Sequence, residues 1–252
     1  MKILFIGDVF GSRGMEALYK YLPKIKQEYK PNLIFLNGEN VDRGFGISEF
    51  IYKDLMKLGI SVVTLGNHSF SKREIVNFID DSNIIRPANY GDSVPGKGYI
   101  TINYNDKKIT VINLMGRIFM GDPLDNPFKK ADEILQKIDS DYVIIDMHAE
   151  ASSEKIALAH YLDGRVTAVV GTHTHVPTAD AMVFPKGTMY ITDIGMSGTK
   201  YGIIGGDKDI ILNKFLDGMP RRIKEDLSST LQFNAVIMDT DLKKIKSINI
   251  YE

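Results

Sequence analysis

Short apolar runs, each ending in a polar or glycine-containing break, set the rhythm of this chain. Ile3–Ile6, Leu33–Leu36 and Val62–Leu65 have no polar alternation except Thr64, which predicts strands covered on both faces, as parallel strands are. Between them, Met15, Leu18, Tyr19, Leu22 and Ile25 recur at helical spacing, as do Phe50, Ile51, Leu55 and Leu58. Pro23 falls inside the first of these patterns and predicts a kink or a split there. Ser71-x-x-Glu74 ahead of Ile75, Val76 and Ile79 has the form of a capping box and predicts a helix start.

The rhythm then changes. Tyr99–Tyr104 and Lys108–Leu114 predict a hairpin turning at Asn105-Asp106. Strands are expected at Tyr142–Met147, Val166–Val170 and Thr188–Ile194, with a helix over Glu154–Leu162. Gly195–Gly206 carries five glycines in twelve residues and reads as a mobile loop. Phe233–Met238 and Ile245–Ile250 predict a closing hairpin. Strand–helix alternation followed by antiparallel pairs indicates a mixed α/β fold with two sheets. The chain shows no internal repeat, low-complexity tract or linker, so residues 1–252 are expected to form one domain.

Composition narrows the chemistry. With 252 residues and 44% hydrophobic content, a sizeable core needs no covalent staples. Lysine and arginine number 31 against 32 aspartates and glutamates, a net charge of −1. That balance removes the bulk-electrostatic case for nucleic acid or membrane binding, and no basic stripe is visible. Zero cysteines exclude disulfides, thiolate zinc sites, iron–sulfur clusters and cysteine nucleophiles. No apolar stretch approaches the ~18 residues of a membrane span, and the N-terminal run is too short for a signal peptide. A cytoplasmic location is the expectation.

The polar residues fall at the carboxyl ends of the predicted strands. Gly7-Asp8, Asn37-Gly38-Glu39-Asn40, Gly66-Asn67-His68, Asp146-Met147-His148 and Gly171-Thr172-His173-Thr174-His175 each end one. Ligands of open α/β sheets bind at that edge. Four of the five histidines are there; His160, in the middle of a predicted helix, is assigned no role. An extended His173-x-His175 would point both rings to one side, roughly 6.6 Å apart along the backbone. Two imidazoles so placed can serve two metals ~3.5–4 Å apart, with Glu39 able to bridge. Imidazole, carboxylate and amide oxygen together suit iron, manganese or zinc rather than calcium. Any one of these pieces alone is an ordinary turn or cap; five on one edge are not. Gly91-x-x-x-x-Gly96-Lys97 fails as a phosphate loop because Gly98 follows and the next element is a strand. No Gly-x-Ser-x-Gly elbow is present.

Asp8, Gly38-Glu39-Asn40-Val41-Asp42-Arg43-Gly44, Gly66-Asn67-His68, His148 and His173-x-His175 together resemble the calcineurin-like metallophosphoesterase superfamily. Within it, Gly7-Asp8-Val9-Phe10-Gly11, Gly171–Val176 and Thr192-Asp193-Ile194-Gly195-Met196 are similar to the YmdB-type 2′,3′-cyclic-nucleotide 2′-phosphodiesterases. The resemblance covers nearly the whole chain. It implies a four-layer α/β/β/α sandwich of two mixed sheets. It implies one metal held by Asp8, Glu39, Asn40 and His175, and a second held by Glu39, Asn67, His148 and His173. Glu39 would bridge, His68 would be the proton donor, and iron would be the expected metal with manganese able to substitute. Where the wider superfamily has Asp-x-His and Gly-Asp, this chain has Asp8-Val9-Phe10 and Gly38-Glu39, as the YmdB-type pattern does.

The expected reaction is hydrolysis of a small cyclic nucleotide, 2′,3′-cyclic first and 3′,5′-cyclic as an extension. A metal-bridged hydroxide would attack phosphorus while His68 protonates the leaving oxygen. Asp146, sharing a strand face with His148, is either an orienting partner of that ring or a solvated strand-end acid. Three alternatives stand beside this reading: a phosphomonoesterase or protein phosphatase on the same fold, an RNA-associated regulatory module with structural metals, and, more weakly, a nuclease. The sequence is compatible with a homo-oligomer.

Overall fold

In a computed structural model of the chain, residues 1–121 and 123–252 are described. The first half runs β1 (Lys2–Ile6), β2 (Asp8–Val9), α1 (Gly11–Tyr29), β3 (Leu33–Asn37), α2 (Glu49–Lys57), β4 (Val62–Thr64) and β5 (Ile84–Ile85). Next come β6 (Tyr99–Tyr104), β7 (Lys107–Met115), α3 (Pro127–Leu135), β8 (Tyr142–His148), α4 (Ser152–Leu162) and β9 (Ala168–Thr172). The chain closes with β10 (Met182–Val183), β11 (Met189–Ile191), β12 (Met196–Thr199), α5 (Lys208–Asp217), β13 (Leu231–Asp239) and β14 (Lys244–Tyr251).

Two mixed sheets result. The first has the order β2-β12-β13-β1-β3-β4-β5, with β14 also paired to β13. Its β1, β3, β4 and β5 are parallel, while β13 is antiparallel to β1. The second has the order β10-β11-β9-β8-β7-β6, parallel from β7 through β8 and β9 to β11. Side chains alternate across each strand. Leu4 and Ile6 therefore face α1 and α2 in one core, while Ile3 and Phe5 face Ile144 and Val170 of the other sheet in a second. Ile145 and Met147 face α3 and α4 in a third. Three cores between four layers make the expected α/β/β/α sandwich.

Several local expectations change. Pro23 does not split α1, which runs unbroken for 19 residues. Pro23 lies on the exposed side, where the carbonyl that loses its partner is open to water. Ser71 caps nothing: only a 3₁₀ turn over Arg73–Asn77 follows, and the Ser71 hydroxyl sits 3.4 Å from His68 Nδ1 instead. Gly195–Gly206 is not simply a loop, because β12 lies within it and pairs with both β2 and β13. Both hairpins form as expected, the first turning at Asn105 with φ of 54°. Among the described residues no helix is long and apolar enough to cross a membrane.

One buried ion pair joins layers behind the sheet edge. Lys155 on α4 is fully buried and its Nζ donates to Asp193 Oδ2 at 2.8 Å, Asp193 being equally buried. Removing one member strands the other charge away from water. Lys155→Met is expected to lower unfolding stability by about 3–5 kcal/mol, read as a reduced urea midpoint at unchanged m-value.

Candidate metal centre

The carboxyl ends of β3, β4, β8 and β9, together with β2, bring the predicted donors to one place. His148 Nε2 is the hub: Asn67 Oδ1 lies 3.0 Å away, Glu39 Oε1 3.1 Å and His173 Nδ1 3.1 Å. These four residues are the expected second-metal set. The other set is looser. His175 Nε2 is 3.1 Å from Asn40 Nδ2 and 3.9 Å from Asp8 Oδ1, and Asn40 Nδ2 donates to Glu39 Oε1 at 3.0 Å. Asn40 thus presents its amide nitrogen to the cluster, and a ligand role for its oxygen requires the amide to turn over.

The backbone of His173-x-His175 is not the extended segment expected. Its two histidines have φ of 100° and 67°, in the left-handed region that costs ~1–3 kcal/mol per residue. Hydrogen bonds hold this turn on every side. His173 N donates to Asp8 Oδ2 at 3.2 Å, Thr174 N donates to Asp193 Oδ2 at 3.1 Å, and Met196 N donates to the His175 carbonyl at 3.0 Å. The turn aims Nδ1 of His173 and Nε2 of His175 inward. Gly66 permits the closest approach: a Cβ there would lie 2.2 Å from His148 Nε2 and 2.3 Å from Glu39 Oε2.

The donor set fits a metal. Each imidazole donates outward and keeps a lone pair inward. His175 Nδ1 donates to the Ile204 carbonyl at 2.9 Å, and His173 Nε2 faces Glu150 Oε2 at 3.1 Å. His148 Nδ1 meets Thr172 Oγ1 at 2.8 Å, and that hydroxyl already donates to Asp146 Oδ1 at 2.7 Å. A hydroxyl has one proton, so Thr172 accepts from His148 Nδ1–H and leaves the Nε2 lone pair facing the cluster. Asp146 therefore orients His148 through Thr172 rather than by contact. It is fully buried, not a solvated acid. Asp8 Oδ1 is buried without a hydrogen-bond partner among the described residues, which a bound cation would satisfy.

Charge follows the same geometry. Burial raises the Asp8 carboxyl above the usual range, with His175 and His148 only partly offsetting it. Burial also pushes on Glu39, but His148 beside it wins and holds that carboxyl low. Burial lowers His148, yet the facing Glu39 overrides it and raises the ring. His173 falls to about 3 because burial and the neighbouring His148 both oppose a second positive charge. One proton on His148 can serve one of its three neighbours; a metal can serve all four donor atoms.

His68 stands beside the cluster. Its backbone N donates to Glu39 Oε2 at 3.0 Å, its Nε2 is 3.3 Å from Asn67 Nδ2, and Phe45 meets the ring edge-on at 5.0 Å. Above lies a cleft of about 320 Å³. Glu39, Asn40, His173 and His175 line its polar side, while Phe10, Phe45, Ile203, Ile204, Ile211 and Ile223 line its apolar side. His160, on α4, packs against Phe184 at 4.4 Å and takes no part. Thr172, Glu150 and the Ile204 carbonyl escaped sequence reading, although Thr172 lies inside the Gly171–Val176 motif.

Two packed mixed sheets with histidine, carboxylate and amide donors at one edge define a metallophosphoesterase-type fold. The chain belongs to the YmdB-like family, whose model, described as YmdB-like protein, matches residues 4–252. It is 47% identical over 253 residues to the 2′,3′-cyclic-nucleotide 2′-phosphodiesterase of Bacillus subtilis, covering 99% of this chain and 95% of that one. A crystal structure of a hypothetical protein from Thermus thermophilus superposes with a TM-score of 0.95 at 42% identity, over 100% of both chains. That of a novel phosphatase from Mycoplasma pneumoniae gives 0.92 at 34% identity, covering 99% of this chain and 93% of that one.

Asp146→Asn places an NH₂ among donors from Thr64, Asn37, Asn113 and Thr172 and breaks the relay to His148. Metal affinity is expected to fall by about 10–100-fold, measured by titrating manganese into metal-stripped protein.

Proposed function

We propose that this chain is a metal-dependent phosphodiesterase that opens 2′,3′-cyclic nucleotides to 3′-phosphates. The observation carrying the proposal is the inward convergence of three oriented imidazoles, Glu39 and Asn67 beneath a half-apolar cleft. The name of the 47%-identical relative supports the substrate. In this reading Asp8, Glu39, Asn40 and His175 hold one metal and Glu39, Asn67, His148 and His173 the other, with Glu39 shared. The metals are iron, with manganese substituting, and residues 1–252 work as one domain in the cytoplasm.

Bound metals supply the positive charge that draws in the phosphodiester and offsets charge developing on its oxygens. The chain's own residues do the rest. The apolar wall of Phe10, Phe45, Ile203 and Ile204 receives the nucleoside and excludes water from one side of the cleft. Phe45 and Ser71 restrain the His68 ring, and its Nε2 edge lies toward the cluster. As water adds to phosphorus, the bond to the 2′-oxygen breaks and His68 gives that oxygen its proton.

After reconstitution with iron or manganese, the protein is expected to turn over 2′,3′-cyclic nucleotides well ahead of 3′,5′-cyclic nucleotides and phosphomonoesters. A preference for monoesters would defeat the reading. His68→Ala should retain both metals and lose about 10²–10⁴-fold in kcat on cyclic nucleotides, but far less on an aryl diester whose leaving group needs no proton. Asp8→Ala should instead lose metal, read by elemental analysis.

A further inference from the structure

A second groove adjoins the cleft. It has a volume of about 590 Å³, and it shares Phe45 and Ile223 with the cleft. Four cations line it, Arg43, Lys72, Arg222 and Lys224, against two anions, Asp42 and Glu225. The excess is therefore two positive charges, in a protein whose net charge is −1. The anions are engaged. Asp42 pairs with Lys72 at 3.2 Å, and Glu225 accepts from Arg13 N at 2.7 Å and Ser12 Oγ at 3.0 Å. Arg43, Arg222 and Lys224 make no side-chain ion pair among the described residues, so their charge is available to a ligand.

The groove meets the cleft at Phe45, the residue that packs on the proposed proton donor His68. Phe45 packs edge-on against His68, is 43% exposed, and lines both the cleft and the cationic groove. A terminal ribose whose 2′-oxygen reaches His68 sits against Phe45. Anything attached to the 5′ side of that ribose has a route past Phe45 into the cationic groove. A basic groove tracking phosphates beside an exposed aromatic ring is the recurring arrangement for single-stranded nucleic acid.

We propose that the preferred substrate is a single-stranded oligoribonucleotide ending in a 2′,3′-cyclic phosphate, its upstream phosphates lying along Arg43, Lys72, Arg222 and Lys224. This rests on the cyclic-phosphodiesterase reading above and extends it from a mononucleotide to an RNA end. The charge balance of the whole chain conceals the groove, because its cations come from three separated segments, around residues 43, 72 and 222–224.

The test compares a tetraribonucleotide ending in 2′,3′-cyclic phosphate with the matching cyclic mononucleotide, using metal-loaded wild type and Arg222→Gln/Lys224→Gln. Wild type should show about tenfold higher kcat/KM on the tetranucleotide at low salt, and the double variant should lose that advantage while keeping its mononucleotide rate. In parallel, anisotropy with metal-stripped protein and a labelled tetraribonucleotide 3′-phosphate should show binding that weakens about 18-fold between about 50 and about 200 mM salt, as roughly three phosphate contacts on a single strand require. Equal kcat/KM for both substrates, or an advantage and salt slope unchanged in the variant, overturns the oligonucleotide proposal and leaves the mononucleotide activity standing. Loss of hydrolysis on both substrates with salt-dependent RNA binding intact would strike the phosphodiesterase reading instead.

Discussion

The carboxylate of Asp146 is where the two sheets are tied together. It is fully buried on β8 and accepts from Asn37 and Thr64 of one sheet and from Asn113 and Thr172 of its own. Burial raises its pKa, while His148 and hydrogen bonds from Thr64, Thr172 and Asn37 work against that. A buried carboxylate so supplied is fixed in position, because losing any donor leaves an acceptor unsatisfied at a cost of ~1–3 kcal/mol. The strand ends of both sheets are thereby held in register with each other, and through Thr172 the same group sets the tautomer of His148. Architecture and chemistry share one anion.

The second requirement is strain. His173 and His175 both present a lone pair inward from left-handed backbone conformations. Such a turn persists because its surroundings over-determine it. Asp193 is the main restraint, accepting from Thr174 N and Gly195 N while Lys155 neutralises it from α4. Lys155 thus supports the strained turn through Asp193, which holds it directly.

Charge works on two scales. Over the whole chain it nearly cancels, and over the cluster it is arranged to favour a cation: an orphaned Asp8 oxygen, a low-pKa Glu39, and a His173 kept neutral. A cation so held turns a buried anionic hole into an attractive seat for a phosphodiester. The apolar wall opposite gives a nucleoside somewhere to bury its base, so one cleft suits both ends of a nucleotide.

Much of this was legible in the sequence by itself. Unbroken apolar runs specify buried parallel strands because both faces must be covered, and the polar residues after each run mark the ligand-binding edge. The eight candidate site residues are named from that edge and the motif resemblance. Even α3 and α5 left local signals, Asn126-Pro127 at one start and Asp207 and Gly218 at the ends of the other, caps that no periodicity made prominent. What only the tertiary structure decided are relations between residues distant in the chain. Pro23 is harmless because its side of α1 faces water; Ser71 faces His68 instead of capping a helix; the glycine-rich stretch gains β12 from partners on β2 and β13. The His-x-His turn is bent rather than extended because Asp8, Asp193 and Met196 hold it so. Local sequence encodes which groups can bind a metal, but their donor directions depend on hydrogen-bond partners up to 165 residues away, and no linear pattern carries that.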